Sequence, residues 1–157
     1  MEMKIEQLTV KDIKLLISLR MEVLADVFKT DFKNMTSSDI ENLKRENKKY
    51  YLKELPSGRH IACAAYETDK ILGCGGMCLY NEMPSPDNPN GKCAYLMNIY
   101  VKPEYRKKGL GKKICNWLVE KAKETGAEKI YLESSDNAKP MYEKLGFKEM
   151  KNYMAIL

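Results

Sequence analysis

Ile99-Tyr100-Val101-Lys102-Pro103-Glu104-Tyr105-Arg106-Lys107-Lys108-Gly109-Leu110-Gly111-Lys112 packs a strand end, a tight turn and a helix start into one short run. The strand spans Cys93 to Val101 and stops at Pro103, which cannot donate to a ladder. A helix follows from Gly109 to about Thr125, with Leu110, Ile114, Trp117, Leu118 and Ala122 inward and Gly126 as its stop. Unpaired N–H groups and the macrodipole make a helix start electropositive, and glycine there lets an anion approach the backbone. Arg106, Lys107, Lys108, Lys112 and Lys113 add charge with no acidic residue among them. The chain has only four arginines, at positions 20, 45, 59 and 106. An arginine at this turn points to bidentate contact with a pyrophosphate, which lysine does not reproduce.

Upstream, Lys4 to Thr9 reads as a short strand, and Thr9-x-x-Asp12 as a capping box for a helix over about 10–28. A second helix is expected from Ser37 or Ser38, with Ser38-x-x-Glu41 as its cap and Pro56-Ser57-Gly58 as its end. Ile61–Tyr66 and Ile71–Tyr80 read as a hairpin. Gly73, Gly75 and Gly76 in its second arm suggest a bulge or a close backbone approach. Residues 81–92 form a proline-rich loop, read equally well as a functional segment and as a surface excursion. Downstream come a strand over Lys129–Glu133, a short helix over Asn137–Leu145 and one or two closing strands in Phe147–Leu157. The order β-α-α-β-β-β-α-β-α-β makes an α/β (α+β mixed) chain with a single mixed central sheet and helices on both faces.

With 157 residues, one domain over 1–157 is expected. The balance of 44% hydrophobic and 31% charged residues excludes a disordered chain. No apolar run is long enough to cross a bilayer and no signal-type stretch follows Met1, so a cytoplasmic protein is expected. The net charge of +5 arises from 27 basic against 22 acidic residues, mostly interleaved as on a solvated surface. Five cysteines without C-x-x-C spacing and a single histidine, His60, support neither a metal site nor a disulfide framework. They read as reduced thiols acting as small hydrophobes.

The basic turn has rivals. It lacks G-x-x-x-x-G-K-[ST], and Ile114 stands where G-x-G-x-x-G needs its third glycine. A helix-turn-helix would place a helix, not a strand, before it. An isolated R-x-x-G-x-G is a weak signal. Here, however, a strand ending in Ile130-Tyr131-Leu132 leads to Asn137-Ala138-Lys139-Pro140-Met141-Tyr142-Glu143-Lys144-Leu145-Gly146-Phe147. With both blocks in this order, the chain resembles the GNAT superfamily of acetyl-CoA-dependent N-acetyltransferases. The likeness is most specific over 95–147 and loose before 60.

The resemblance implies an acyl-CoA N-acyltransferase fold in which two central parallel strands splay and acetyl-CoA lies in the gap. It implies that the strand end Ile99, Tyr100 and Val101 holds the pantetheine through its backbone. The turn Arg106, Lys107, Lys108, Gly109, Leu110, Gly111 and Lys112 would then wrap the pyrophosphate, and Asn137 would touch the cofactor. Tyr142 would protonate the leaving thiolate, and Glu133 corresponds to a glutamate that serves as base in related enzymes. Glu22 is another carboxylate candidate, and Asn98 stands where some relatives carry a glutamate but cannot itself be a base. The expected partner is a small-molecule or peptide amine, lined by the first two helices and the 81–92 loop. No metal, nucleic acid or membrane is expected, and relatives are often homodimers. The alternatives are a non-catalytic CoA-binding or regulatory module on the same fold and, from charge alone, a nucleic-acid binder.

Overall fold

The computed structural model describes residues 2–157. Five strands form one sheet in sequence order: β1 (Met3–Leu8), β2 (His60–Glu67), β3 (Lys70–Asn81), β4 (Lys92–Val101) and β5 (Lys129–Leu132). The first four are antiparallel, and β5 runs parallel to β4. Parallel neighbours need a crossover, and α4 (Leu110–Glu124) supplies it.

Helices α1 (Ile13–Val27), α2 (Lys29–Asn34) and α3 (Ser37–Glu54) lie between β1 and β2, and α5 (Lys139–Lys144) follows β5. Strand periodicity sorts the apolar residues onto two faces. Leu16, Leu19, Val23 and Tyr51 pack with Ala62, Ala64, Cys74 and Tyr100 on one side. Ile114, Cys115, Leu118 and Tyr142 pack with Cys63, Ala65, Met77 and Leu96 on the other. Four of the five thiols are buried, three of them in these layers, as small hydrophobes would be.

The Thr9–Asp12 box forms as expected, around a short 3-10 turn that leads into α1. The second cap lies two residues earlier than Ser38. Thr36 accepts from the Asp39 N–H at 3.1 Å, and Asp39 accepts from the Thr36 N–H at 2.8 Å. Thr-x-x-Asp satisfies the same donors as Ser-x-x-Glu, so the spacing alone did not choose between them. Helix α2 had no sequence signal. The closing strand expected in Phe147–Leu157 is absent. Asn152 takes φ +69°, which breaks an extended run, and Lys139 ties Glu149 back to α5 at 2.8 Å. The sheet therefore ends at β5.

The glycines of β3 show why the hairpin is glycine-rich. A Cβ on Gly73 would lie 2.3 Å from the Tyr100 carbonyl oxygen, and one on Gly75 would lie 2.7 Å from the Ile114 side chain. Glycine brings β3 against both the β4 backbone and α4.

Candidate active site

β4 and β5 pair only from Cys93↔Lys129 to Leu96↔Leu132. Beyond Leu96, β4 runs on to Val101 without a strand partner on that edge among the described residues. The change of course starts at a bulge. Cys74 opposes Tyr100 and Gly76 opposes Met97, so β4 carries one extra residue against Gly75. Asn98 occupies the bulge at φ +58°, a left-handed conformation that asparagine tolerates better than most residues. The bulge reverses the alternation. Ala94 and Leu96 pack toward α4 before it, and Ile99 and Val101 do so after it, while Tyr100 joins the α1 side.

The Lys102 N–H bonds the Leu72 carbonyl at 2.9 Å, which fixes the phase of the strand end. Tyr100 therefore directs its backbone groups to β3, and Ile99 and Val101 direct theirs to the free edge. That edge opens on the turn after β4. Lys107 and Gly109 both take positive φ, +65° and +77°, and Gly109 is the N-terminal cap of α4. A Cβ at Gly109 would meet nothing within 4 Å, so the helix start faces open space. A Cβ at Gly111 would stand 3.4 Å from the Met141 sulfur and 3.8 Å from Val101, in the cleft between β4 and α5. The free strand edge and this open helix start together fit an extended ligand with an anionic end.

Arg106 departs from the bidentate anion contact read from the sequence. Its Nε donates to the Val101 carbonyl at 2.8 Å, its Nη2 pairs with Asp26 at 3.2 Å, and its guanidinium lies 5.4 Å from the centre of the Tyr100 ring. The side chain fastens the turn to the strand end and to α1. Lys107, Lys108 and Lys112 are exposed around the turn, and Leu110 is buried beneath it.

Tyr142 sits on α5 beside Leu110, Ile114 and Cys115, with Phe147 edge-on at 5.8 Å. Burial, with Cys115 second, pushes its hydroxyl up to about 12, so it is protonated at neutral pH. No hydrogen bond engages that hydroxyl among the described residues. Asn137 is exposed in the turn before α5. Glu133 is exposed just past β5, and its charge and hydrogen bonding help raise the Tyr95 hydroxyl, for which burial is the first cause. Glu133 and Tyr95 therefore adjoin on the face opposite Tyr142. Glu22 pairs with Lys102 at 3.5 Å and accepts from the Tyr100 hydroxyl at 3.3 Å.

On the α1/α3 side of the bulge lies a cavity of about 300 Å³. Arg20, Met97 and Asn98 line one part, and Asn47, Tyr50, Tyr51, His60 and Cys78 line most of the rest. The Tyr50 hydroxyl contacts His60 Nδ1 at 2.8 Å and the Cys78 sulfur at 3.0 Å. Burial, with the Arg20 charge second, holds the His60 imidazole down to about 4, so it is neutral at pH 7. Sequence reasoning passed over Arg20, Asn47, Tyr50, His60 and Cys78 as a group, since they come from separate elements and carry no motif. Loop 81–92 does not line this cavity. Buried Asn88 donates to Glu82 at 3.1 Å, Glu82 pairs with Lys129 at 3.1 Å, and Asn90 donates to the Gly126 carbonyl at 2.8 Å. The loop is a strap at the opposite end of β4. A hollow of about 360 Å³ on the outer edge of β1 holds none of the expected site residues.

Comparison with known proteins gives the same picture. A glucosamine 6-phosphate N-acetyltransferase from Trypanosoma brucei brucei is 30% identical over 57% of this chain and 58% of its own length. A thialysine N-epsilon-acetyltransferase from Sus scrofa is 33% identical over 46% of this chain and 56% of its own length. The chain spans about half the length of the curated relatives it matches. The crystal structure of a predicted acetyltransferase with acetyl-CoA from Clostridium acetobutylicum superposes with a TM-score of 0.85 and 25% identity, over 99% of this chain and 96% of that one. The model of the acetyltransferase (GNAT) family matches residues 23–147, from the middle of α1 to the end of the Tyr142 block, and the chain belongs to that family.

Proposed function

We propose that the protein is an acetyl-CoA-dependent N-acetyltransferase that moves an acetyl group to a primary amine. One observation carries the reading: β4 leaves β5 after Leu96 and runs on, with a free edge, to a glycine-opened helix start. Acetyl-CoA supplies a thioester carbon that a neutral amine can attack.

The free backbone groups of Ile99 and the N–H of Val101 hold the pantetheine as an added strand would. The turn from Arg106 through Lys107, Lys108, Gly109, Leu110 and Gly111 to Lys112 receives the pyrophosphate on its N–H groups, and the exposed lysines add charge. Arg106 holds the strand end, through the Val101 carbonyl, and ties it to α1 at Asp26. Asn137 meets the cofactor at the mouth of α5. The amine nitrogen forms the C–N bond as the C–S bond breaks. Its proton leaves to Glu133, directly or through water, and the Tyr142 hydroxyl gives its proton to the departing sulfur. Tyr142 enters that step protonated, its hydroxyl lying well above neutral pH. The 300 Å³ cavity receives the acceptor.

The expectations of one domain over 1–157, a cytoplasmic protein, and no metal, nucleic acid or membrane belong to the same proposal, and the homodimer that relatives often form is part of what it leaves to test. Among the described residues no helix is long and apolar enough to cross a membrane. Calorimetry with acetyl-CoA tests the cofactor half, and failure to bind at millimolar concentration overturns the reading. Thiol release across polyamines, aminoglycosides, amino acids and peptide N-termini tests the transfer. Binding without turnover on any amine returns the protein to a CoA-binding module.

A further inference from the structure

We infer that the cavity takes an amine that also carries an anionic group, a carboxylate or a phosphate monoester, and that Arg20 holds that group. This rests on the acetyl-transfer reading and narrows its acceptor class. Arg20 Nε donates to Asn47 Oδ1 at 3.2 Å, and Nη1 donates to Asn98 Oδ1 at 3.0 Å. Asn47 is itself fixed, its Nδ2 donating to the Leu43 carbonyl at 2.9 Å. Both of Arg20's acceptors are neutral amides, so the guanidinium is held in position while, among the described residues, no carboxylate pairs with its charge.

The nearby carboxylates are already engaged. Glu22 pairs with Lys102 at 3.5 Å, Asp26 with Arg106 at 3.2 Å, Glu46 with Lys49 at 3.2 Å and Glu54 with Arg59 at 2.7 Å. A guanidinium has five N–H donors, and these two bonds leave the others for a ligand. Part-buried, prepositioned and uncompensated, Arg20 suits bidentate contact with a carboxylate or phosphate. Its position fits the reaction as well. Asn98 is the bulge residue, so Arg20 rests on the strand where the free edge begins. An acceptor held by its anion therefore lies against that stretch of β4. The wall holds one carboxylate, Glu46, which pairs with Lys49, and its other side chains, Tyr50, Tyr51 and Met97 among them, offer no cage of carboxylates for a polycation.

Matched acceptors test the inference: lysine against cadaverine, and glucosamine 6-phosphate against glucosamine. Free thiol release reads turnover, and the shift in Tm on adding each amine without acetyl-CoA reads binding. In at least one pair, the member with the anionic group should exceed its partner without it about tenfold or more in kcat/KM and raise Tm more. Which pair responds separates carboxylate from phosphate. Arg20→Met should lower kcat/KM for the anion-bearing member about tenfold to hundredfold more than for its partner without the anion, with acetyl-CoA affinity by calorimetry retained. Arg20→Lys should recover part of the preference and guards against a misfolded methionine variant. Preference for the amines without an anionic group, or equal losses for both members of each pair, overturns the inference and leaves acetyl transfer standing. Failure of acetyl-CoA to bind removes both.

Discussion

The two flanks of β4 are built in different ways. On the α4/α5 flank the site is mostly local: a free strand edge, a turn, an open glycine and a helix start follow one another from Ile99 to Lys112. On the α1/α3 flank the cavity is assembled from α1, α3, β2, β3 and β4, and Arg20 and Asn98, bonded at 3.0 Å, are far apart in sequence. A binding surface made of consecutive backbone leaves its mark in the sequence as glycines and a proline. A surface made of distant side chains leaves single residues that look ordinary where they stand. The Asn98 bulge joins the flanks, since it frees the strand edge for one and holds Arg20 for the other.

The severest way to break the comparison is to damage the feature both flanks share. Gly73→Ala puts a Cβ 2.3 Å from the Tyr100 carbonyl oxygen and 3.2 Å from the Ile114 side chain. The oxygen belongs to the backbone, so β4 itself must move. The expected cost is about 4 kcal/mol or more in urea unfolding, with cofactor binding and amine turnover lost together. Loss of one function with the other intact would mean that the flanks do not depend on a common strand position.

The next test separates them by pH. The folded His60 value lies near 4 and its ordinary value is 6.5. As pH falls between these values, the unfolded chain takes up a proton that the folded chain refuses. The stability tied to neutral His60 is thus whole above about 6.5 and gone near 4, a change of order 3 kcal/mol. His60→Gln should flatten that part of the stability–pH curve in chemical denaturation. An unchanged curve would show that His60 is not the group responsible.

This contrast also explains what could be read in advance. The sheet with helices on both faces, the hairpin glycines and the β4–α4 turn follow from periodicity and breaker residues. The closing strand was misread because Tyr153 to Leu157 is apolar enough for a strand, while Asn152 turns the chain out of the extended region. On the site, Gly109 and Gly111 announce themselves, whereas the guanidinium of Arg106 does not, because its partners Val101 and Asp26 are set by tertiary packing. His60 was set aside as a lone histidine. Nothing in its neighbours in sequence points to Tyr50, Cys78 or Arg20.

Tyr142→Phe probes the α4/α5 flank alone. Removing a proton donor while keeping the ring against Phe147 and Leu110 should lower kcat about a hundredfold. Acetyl-CoA affinity by calorimetry should hold, since the hydroxyl makes no hydrogen bond among the described residues. A fall in affinity equal to the fall in kcat would instead make Tyr142 a binding group.

The smallest expected effect concerns the link between the flanks. Arg106 belongs to the cofactor turn by sequence but reaches Asp26 on α1, an ion pair in which both side chains are partly exposed, at 43% and 31%. Such pairs contribute about 0–1 kcal/mol. Arg106→Ala should therefore weaken acetyl-CoA only severalfold, and it should weaken acetyl-pantetheine, which lacks the pyrophosphate, by the same factor. The reason lies in the Val101 carbonyl, which Arg106 Nε holds at 2.8 Å. Its loss loosens the strand end that both ligands share. If calorimetry finds the loss confined to acetyl-CoA, the guanidinium leaves Asp26 and Val101 for the pyrophosphate on binding. The turn would then be assembled by its ligand, and the local flank would be less preformed than its backbone makes it.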